Sequence, residues 1–110
     1  MSVRDVIEHG DFGAFTGAMA PDIVWVGIHP GLLCRNRDQV IETMRGWMEA
    51  GQGAKPEIVG ERENLIVVDP HVDPPNWIPE LHQVFVVDDD RIVEMRDYQN
   101  RRAALQAVGL

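Results

Sequence analysis

Residues 82–100 constrain this chain more than any other stretch: His-Gln-Val-Phe-Val-Val-Asp-Asp-Asp-Arg-Ile-Val-Glu-Met-Arg-Asp-Tyr-Gln-Asn. Two apolar runs, Val84–Val87 and Ile92–Met95, flank an acidic turn, and their lengths suit the two strands of a β-hairpin. Side chains alternate along a strand, so Val93, Met95, Asp97 and Gln99 share one face, while Ile92, Glu94, Arg96 and Tyr98 share the other. The second set carries the charges expected next to solvent. Asp97 is left on the apolar face, where an ionised carboxylate is costly unless it is paired or hydrogen-bonded.

The turn decides which residues neighbour Asp97. A two-residue turn at Asp89-Asp90 needs positive φ at both aspartates, with no glycine to ease it; a three-residue loop, Asp88–Asp90, needs it only at Asp90. The three-residue register is therefore favoured, and it places Gln83, Phe85 and Val87 beside Asp97. The two-residue register places His82, Val84 and Val86 there instead. Asp97 faces inward in both.

At 110 residues the chain is expected to form one domain, 1–110, burying about two-thirds of the surface that its unfolded form exposes. A 45% hydrophobic content suits a folded globular protein, and no apolar run approaches the roughly 20 residues that span a bilayer. A net charge of -8 argues against nucleic acid and against an anionic membrane surface. The first residues, Met-Ser-Val-Arg-Asp, carry no apolar signal core, which points to a cytoplasmic address. Cys34 stands alone and makes no internal disulfide. The four histidines, at positions 9, 29, 71 and 82, show no metal-ligand spacing, and there is no glycine-rich phosphate loop, so neither a metal nor another cofactor is expected.

Earlier in the chain, Ser2 with Asp5 resembles a capping box opening a short helix that His9-Gly10 ends. Asp11 can cap a second helix with Phe12, Phe15 and Met19 on one stripe, which Pro21 stops. Asp22–His29 reads as a strand apolar on both faces. Asn36 with Gln39 opens the longest helix, carrying Val40, Ile41, Met44, Trp47 and Met48 at helical spacing, with Gly51 as its stop. Two strands follow, Lys55–Arg62 and Asn64–Asp69, then a proline-rich loop from Pro70 to Pro79, the hairpin, and a helical tail from Arg101. The order α-α-β-α-β-β-β-β is an α+β layout: a curved, mixed or antiparallel sheet wrapped around N-terminal helices, with a pocket on its concave side.

That layout, with Gly10-Asp11, the Pro21-Asp22-Ile-Val-Trp strand, the helix after Asn36 and the ending Arg-Ile-Val-Glu-Met-Arg-Asp-Tyr, resembles the nuclear transport factor 2-like superfamily, a cystatin-like cone fold. Within it, the chain resembles the SnoaL-like cyclases, limonene-epoxide hydrolase and ketosteroid isomerase. The likeness to the epoxide hydrolase places Asp97 where that family keeps its water-activating carboxylate. His71-Val72-Asp73 is the nearest echo of its Arg-x-Asp pair, and it lacks the arginine. The likeness to ketosteroid isomerase puts His29-Pro30 at the position of the proton-shuttling aspartate and Gln83 at that of an enolate-binding acid. That family's tyrosine has no counterpart, since its place falls near Val3.

The resemblance and the residues together give Asp97 as candidate base, His29 as a partner and Gln83 as a neutral donor to a developing oxyanion. Trp25, Phe85, Met95, Gln99, His71, Asp73 and Trp77 are the candidate substrate-binding residues. The expected ligand is a small apolar molecule, and the expected chemistry is isomerisation, epoxide hydrolysis or cyclisation. Each residue has a plainer reading as well. Asp97 can pair with Arg35 or Arg62, or cap backbone; His29 can bond backbone; His71 and Asp73 can be solvated loop; Trp25 and Phe85 can be ordinary core. The second functional reading is a non-catalytic ligand-binding or dimerisation module. A homodimer is expected through the outer sheet face, where Ile92, Tyr98, His82, Val84 and Val86 gather an apolar area that a monomer rarely exposes.

Overall fold

The computed structural model describes residues 2–51, 55–72 and 78–110. Helices α1 (Val3–His9) and α2 (Phe12–Gly17) lead into strand β1 (Met19–Val26), the short β2 (Leu33–Cys34) and helix α3 (Arg37–Glu49). Strands β3 (Glu57–Arg62), β4 (Leu65–Asp69), β5 (His82–Asp88) and β6 (Arg91–Tyr98) follow, and helix α4 (Arg101–Ala107) ends the chain. The helices begin where local chemistry sets them. Side-chain oxygens of Ser2, Asp11, Asn36 and Asn100 accept the backbone N–H of Asp5, Ala14, Gln39 and Ala103, each satisfying an amide that the first helical turn leaves without a partner. Just beyond α3, Gly51 takes a φ of +85, the left-handed conformation that stops a helix.

The strands form one open mixed sheet in the order β2-β1-β6-β5-β4-β3, with β1 and β6 parallel and every other pair antiparallel. The architecture is α+β. Strand β1 starts earlier than its sequence suggests: Met19, expected on the α2 stripe, pairs with Ile92 instead. Pro21 is accommodated because the β1–β6 ladder is interrupted between Met19 and Val24, so its missing N–H costs no sheet bond. The strand also ends sooner, at Val26, which leaves His29 in the turn that follows.

The hairpin corrects the expected register in an informative way. The turn is the two-residue one, with Asp88 opposite Arg91 and positive φ at both Asp89 (51) and Asp90 (59). Taken alone, that turn puts His82 across from Asp97. A β-bulge intervenes: Val87 pairs with Ile92 and Val86 with Glu94, so Val93 is an extra residue on β6. The bulge shifts pairing by one, and Gln83 faces Asp97 while His82 faces Tyr98. It also turns Ile92, expected on the solvent face, fully into the core.

Trp25, Phe85, Ile92 and Met95 lie together on the helix-facing side of the sheet, with Val40 of α3 packed against them. Each large side chain so buried contributes roughly 1.5–3 kcal/mol. The other side is not the open apolar area that the sequence suggested. Helix α4 lies across it, and Ala104 and Val108 pack on Val67 and Val84, with Tyr98 at the margin. The surface on which the dimer expectation rested is thus largely covered within one chain. No helix among the described residues is long and apolar enough to cross a membrane.

Candidate active site

Asp97 is buried near the end of β6, and two side chains reach its Oδ1 atom. The indole Nε1–H of Trp25 donates to it at 2.9 Å from β1, and the amide Nε2–H of Gln83 donates at 2.9 Å from β5. Sheet order creates this cluster: β6 lies between β1 and β5, so residues far apart in sequence become cross-strand neighbours. Burial raises the Asp97 carboxyl pKa above its ordinary value, and the bonds from Trp25 and then Gln83 pull it partly back. Among the described residues, no lysine or arginine forms an ion pair with Asp97; Arg62 donates to the Gly109 carbonyl instead.

Trp25 and Gln83 belong to the wall of a cavity of about 360 Å³ between the sheet and helices α1–α3. That volume lies within the usual range for small-molecule sites. Phe12, Phe15, Met44, Trp47 and Phe85 are among its apolar lining residues. Trp25 and Trp47 meet edge to face at 5.1 Å, and Phe15 and Phe85 lie tilted at 5.9 Å. Asp97 does not itself line the cavity; it sits one hydrogen bond behind Gln83 and Trp25.

Of the residues nominated from sequence, the structure gathers Asp97, Gln83, Trp25 and Phe85 at this site. Met95 is wholly buried in the core, paired with Phe85 and Trp25 across the neighbouring strands. Gln99 is exposed beyond the end of β6, and His29 is exposed after β1, where its carbonyl accepts the Leu32 N–H. The structure therefore does not bring His29 to Asp97. His71 is also exposed and does not line the cavity, although its neighbours Pro70 and Val72 do; its Nε2 lies 3.2 Å from Glu57 and 3.5 Å from Asp69. Asp73 and Trp77 lie outside the described residues.

Two features escaped the sequence reading. Trp47 and Met44 read as core packing on the α3 stripe, yet they line the cavity. Glu57, Asp69 and His71 hold their ligand-capable atoms within 4.8 Å of one another, a grouping hidden by sequence distance because Glu57 and Asp69 meet only as β3–β4 partners. His82, the alternative neighbour of Asp97, lies on the opposite face, its Nδ1–H donating to the Glu80 carbonyl and its Nε2 accepting from Arg101.

No family model matches the sequence, and no curated protein matches it significantly. Solved structures do share its fold. One, assigned as a polyketide cyclase from Sinorhizobium meliloti, is 20% identical with a TM-score of 0.65, over 86% of this chain and 88% of that one. An NTF2-like protein of unknown function from Burkholderia pseudomallei is 17% identical with a TM-score of 0.62, over 99% of this chain and 93% of that one. An LEH-like epoxide hydrolase from M. tuberculosis is 19% identical with a TM-score of 0.61, over 97% and 86%. The fold is the nuclear transport factor 2-like cone, the architecture that the sequence resemblance implied.

Proposed function

We propose that residues 1–110 form one SnoaL-like domain that acts in the cytoplasm as an acid-base enzyme on a small, largely apolar molecule, with Asp97 as its base. The observation that carries this reading is a buried carboxyl with a raised pKa and, among the described residues, no cationic partner, tethered to the wall of an apolar cavity. A salt-bridged structural aspartate has its pKa held down; a desolvated one is tuned toward neutrality, where a general base works best. Gln83 and Trp25 fix the carboxyl by its Oδ1, and the second amide hydrogen of Gln83 is a neutral donor for an oxygen that gains charge during reaction. Since Asp97 is recessed, the proton reaches it through one water or after Gln83 swings aside. The reactions that fit are hydrolysis of an epoxide and isomerisation or cyclisation by proton abstraction next to a carbonyl. All the residues named come from one chain, so the proposal requires no second copy.

The test is turnover of small epoxides and of β,γ-unsaturated ketones by wild type and Asp97→Asn. The expected result is turnover in one class, reduced about 10²–10⁴-fold by the substitution. Equal turnover in the two proteins would remove Asp97 from the mechanism. The recess of Asp97 behind Gln83 favours a second reading, a binding module without chemistry. Saturable ligand binding with no turnover across both substrate classes is the outcome that selects it.

A further inference from the structure

The described residues that line the cavity carry charge of one sign only. Asp11 is solvent-exposed at the cavity's edge, and Asp97 lies behind its inner wall. No lysine, arginine or histidine is found among the described residues that line it. Phe12, Phe15, Trp25, Trp47 and Phe85 are among the residues that line it. Their rings do not stack flat: the Trp25–Trp47 pair meets at 78° and the Phe15–Phe85 pair at 50°.

We infer that the cavity selects a small organic cation, a tertiary or quaternary ammonium carrying apolar substituents, over a neutral molecule of the same shape. This rests on the cavity being the ligand site, as proposed above, and adds the chemical class of the ligand. Aromatic faces attract a cation through their quadrupole, most strongly where water is excluded. The Asp11 carboxylate supplies a counter-charge at the entrance, with one oxygen occupied by the Ala14 N–H at 2.8 Å. A quaternary ammonium has no N–H to leave unpaired, so it gives up less than a primary ammonium on entering walls that offer few hydrogen-bond acceptors. Carboxylates and phosphates meet the opposite case, two carboxyl groups and, among the described lining residues, no cation to pair with. The net charge of -8 on the whole chain draws cations to it and repels anions.

Benzyltrimethylammonium and its neutral isostere neopentylbenzene differ in charge and scarcely in shape. Trp25 and Trp47 both line the cavity, so intrinsic fluorescence reports occupancy, with calorimetry as the check. The cation should bind about tenfold more tightly than the isostere, with the preference shrinking as salt is added. Asp11→Asn keeps a good helix cap and should weaken the cation about threefold while leaving the isostere unchanged. Trp47→Leu keeps apolar bulk without the quadrupole and should bring the two ligands closer in affinity; if that variant does not fold, Asp11→Asn still decides. Equal binding of both ligands, or a cation preference untouched by Asp11→Asn, overturns the inference and leaves the apolar cavity standing. Failure of both ligands to bind overturns the cavity reading as well.

Discussion

Replacing Asp97 with asparagine should make the protein more stable near neutral pH while destroying its proposed activity. The carboxyl sits at the meeting of two opposed effects. Desolvation of a buried ion costs several kcal/mol, whereas hydrogen bonds from Trp25 and Gln83 are worth roughly 1.5–3 kcal/mol each to the charged form. Burial prevails, and the folded-state pKa lies above the ordinary value. As pH rises past about 3.9 the unfolded chain loses its proton first, so stability that is complete below that point is lost through the window up to the folded pKa, at about 1.36 kcal/mol for each pH unit that the window spans. The asparagine amide keeps an oxygen to accept both N–H donors and never ionises. The stability advantage of Asp97→Asn over wild type should therefore grow with pH, no faster than about 1.4 kcal/mol per pH unit, and flatten above the folded pKa. Urea unfolding followed by tryptophan fluorescence at half-unit steps from about pH 4 to 8 measures the difference directly. A constant difference, or one that moves in favour of wild type as pH rises, refutes the claim that burial dominates at Asp97.

The same balance predicts that Trp25→Phe, which deletes the larger of the two bonds opposing burial, raises the Asp97 pKa further; the base limb of the pH–rate profile, or the carboxyl carbon shift in an NMR titration, should move to higher pH, and an unmoved titration counts against it. That variant should also lose about 1–3 kcal/mol of stability from the missing hydrogen bond. At the hairpin tip, Asp90→Gly relieves a positive φ of 59 and gives the Asp-Gly pair that this turn type favours, so it should add about 0.5–1 kcal/mol in thermal or chemical unfolding. A loss of stability there would mean that the Asp90 side chain is itself stabilising the turn.

What the sequence made legible was what neighbours decide. Ser2, Asp11 and Asn36 cap helices through bonds spanning three residues, and each was readable as such. Asp97 faces inward in every register because alternation along its own strand settles that. What stayed hidden depends on distant partners. His29 falls outside the site because β1 ends at Val26, a limit set by its short pairing with β2 and by where the parallel ladder to β6 stops. The apolar outer face reads as a dimer surface until α4 folds back over Val67 and Val84. Trp47 and Met44 show the same ambiguity on a smaller scale, because a stripe that packs a core and a stripe that lines a cavity have one spacing.

The bulge at Val93 is the deepest case, since it makes a wrong turn prediction and a right neighbour prediction compatible. The two-residue turn fixes Asp88 opposite Arg91 and Val87 opposite Ile92, and the core fixes Phe85 opposite Met95 and Gln83 opposite Asp97. These two registers differ by one residue, and Val93 absorbs the difference. Deleting Val93 should therefore join two segments that are already in step, leaving Gln83 and Trp25 on Asp97 at a cost of about 1–2 kcal/mol for a half-buried side chain and a disturbed edge with β1. The indole N–H resonance of Trp25, shifted downfield by its bond to the carboxyl, reports whether the cluster survives. Slippage is the competing outcome: it would bring His82 opposite Asp97, and either drive Asp97 out of the core or strip Val84 and His82 from beneath α4. Loss of the shifted indole resonance in the deletion variant, with the fold otherwise intact, would mean that the bulge and not the core holds Asp97 in register.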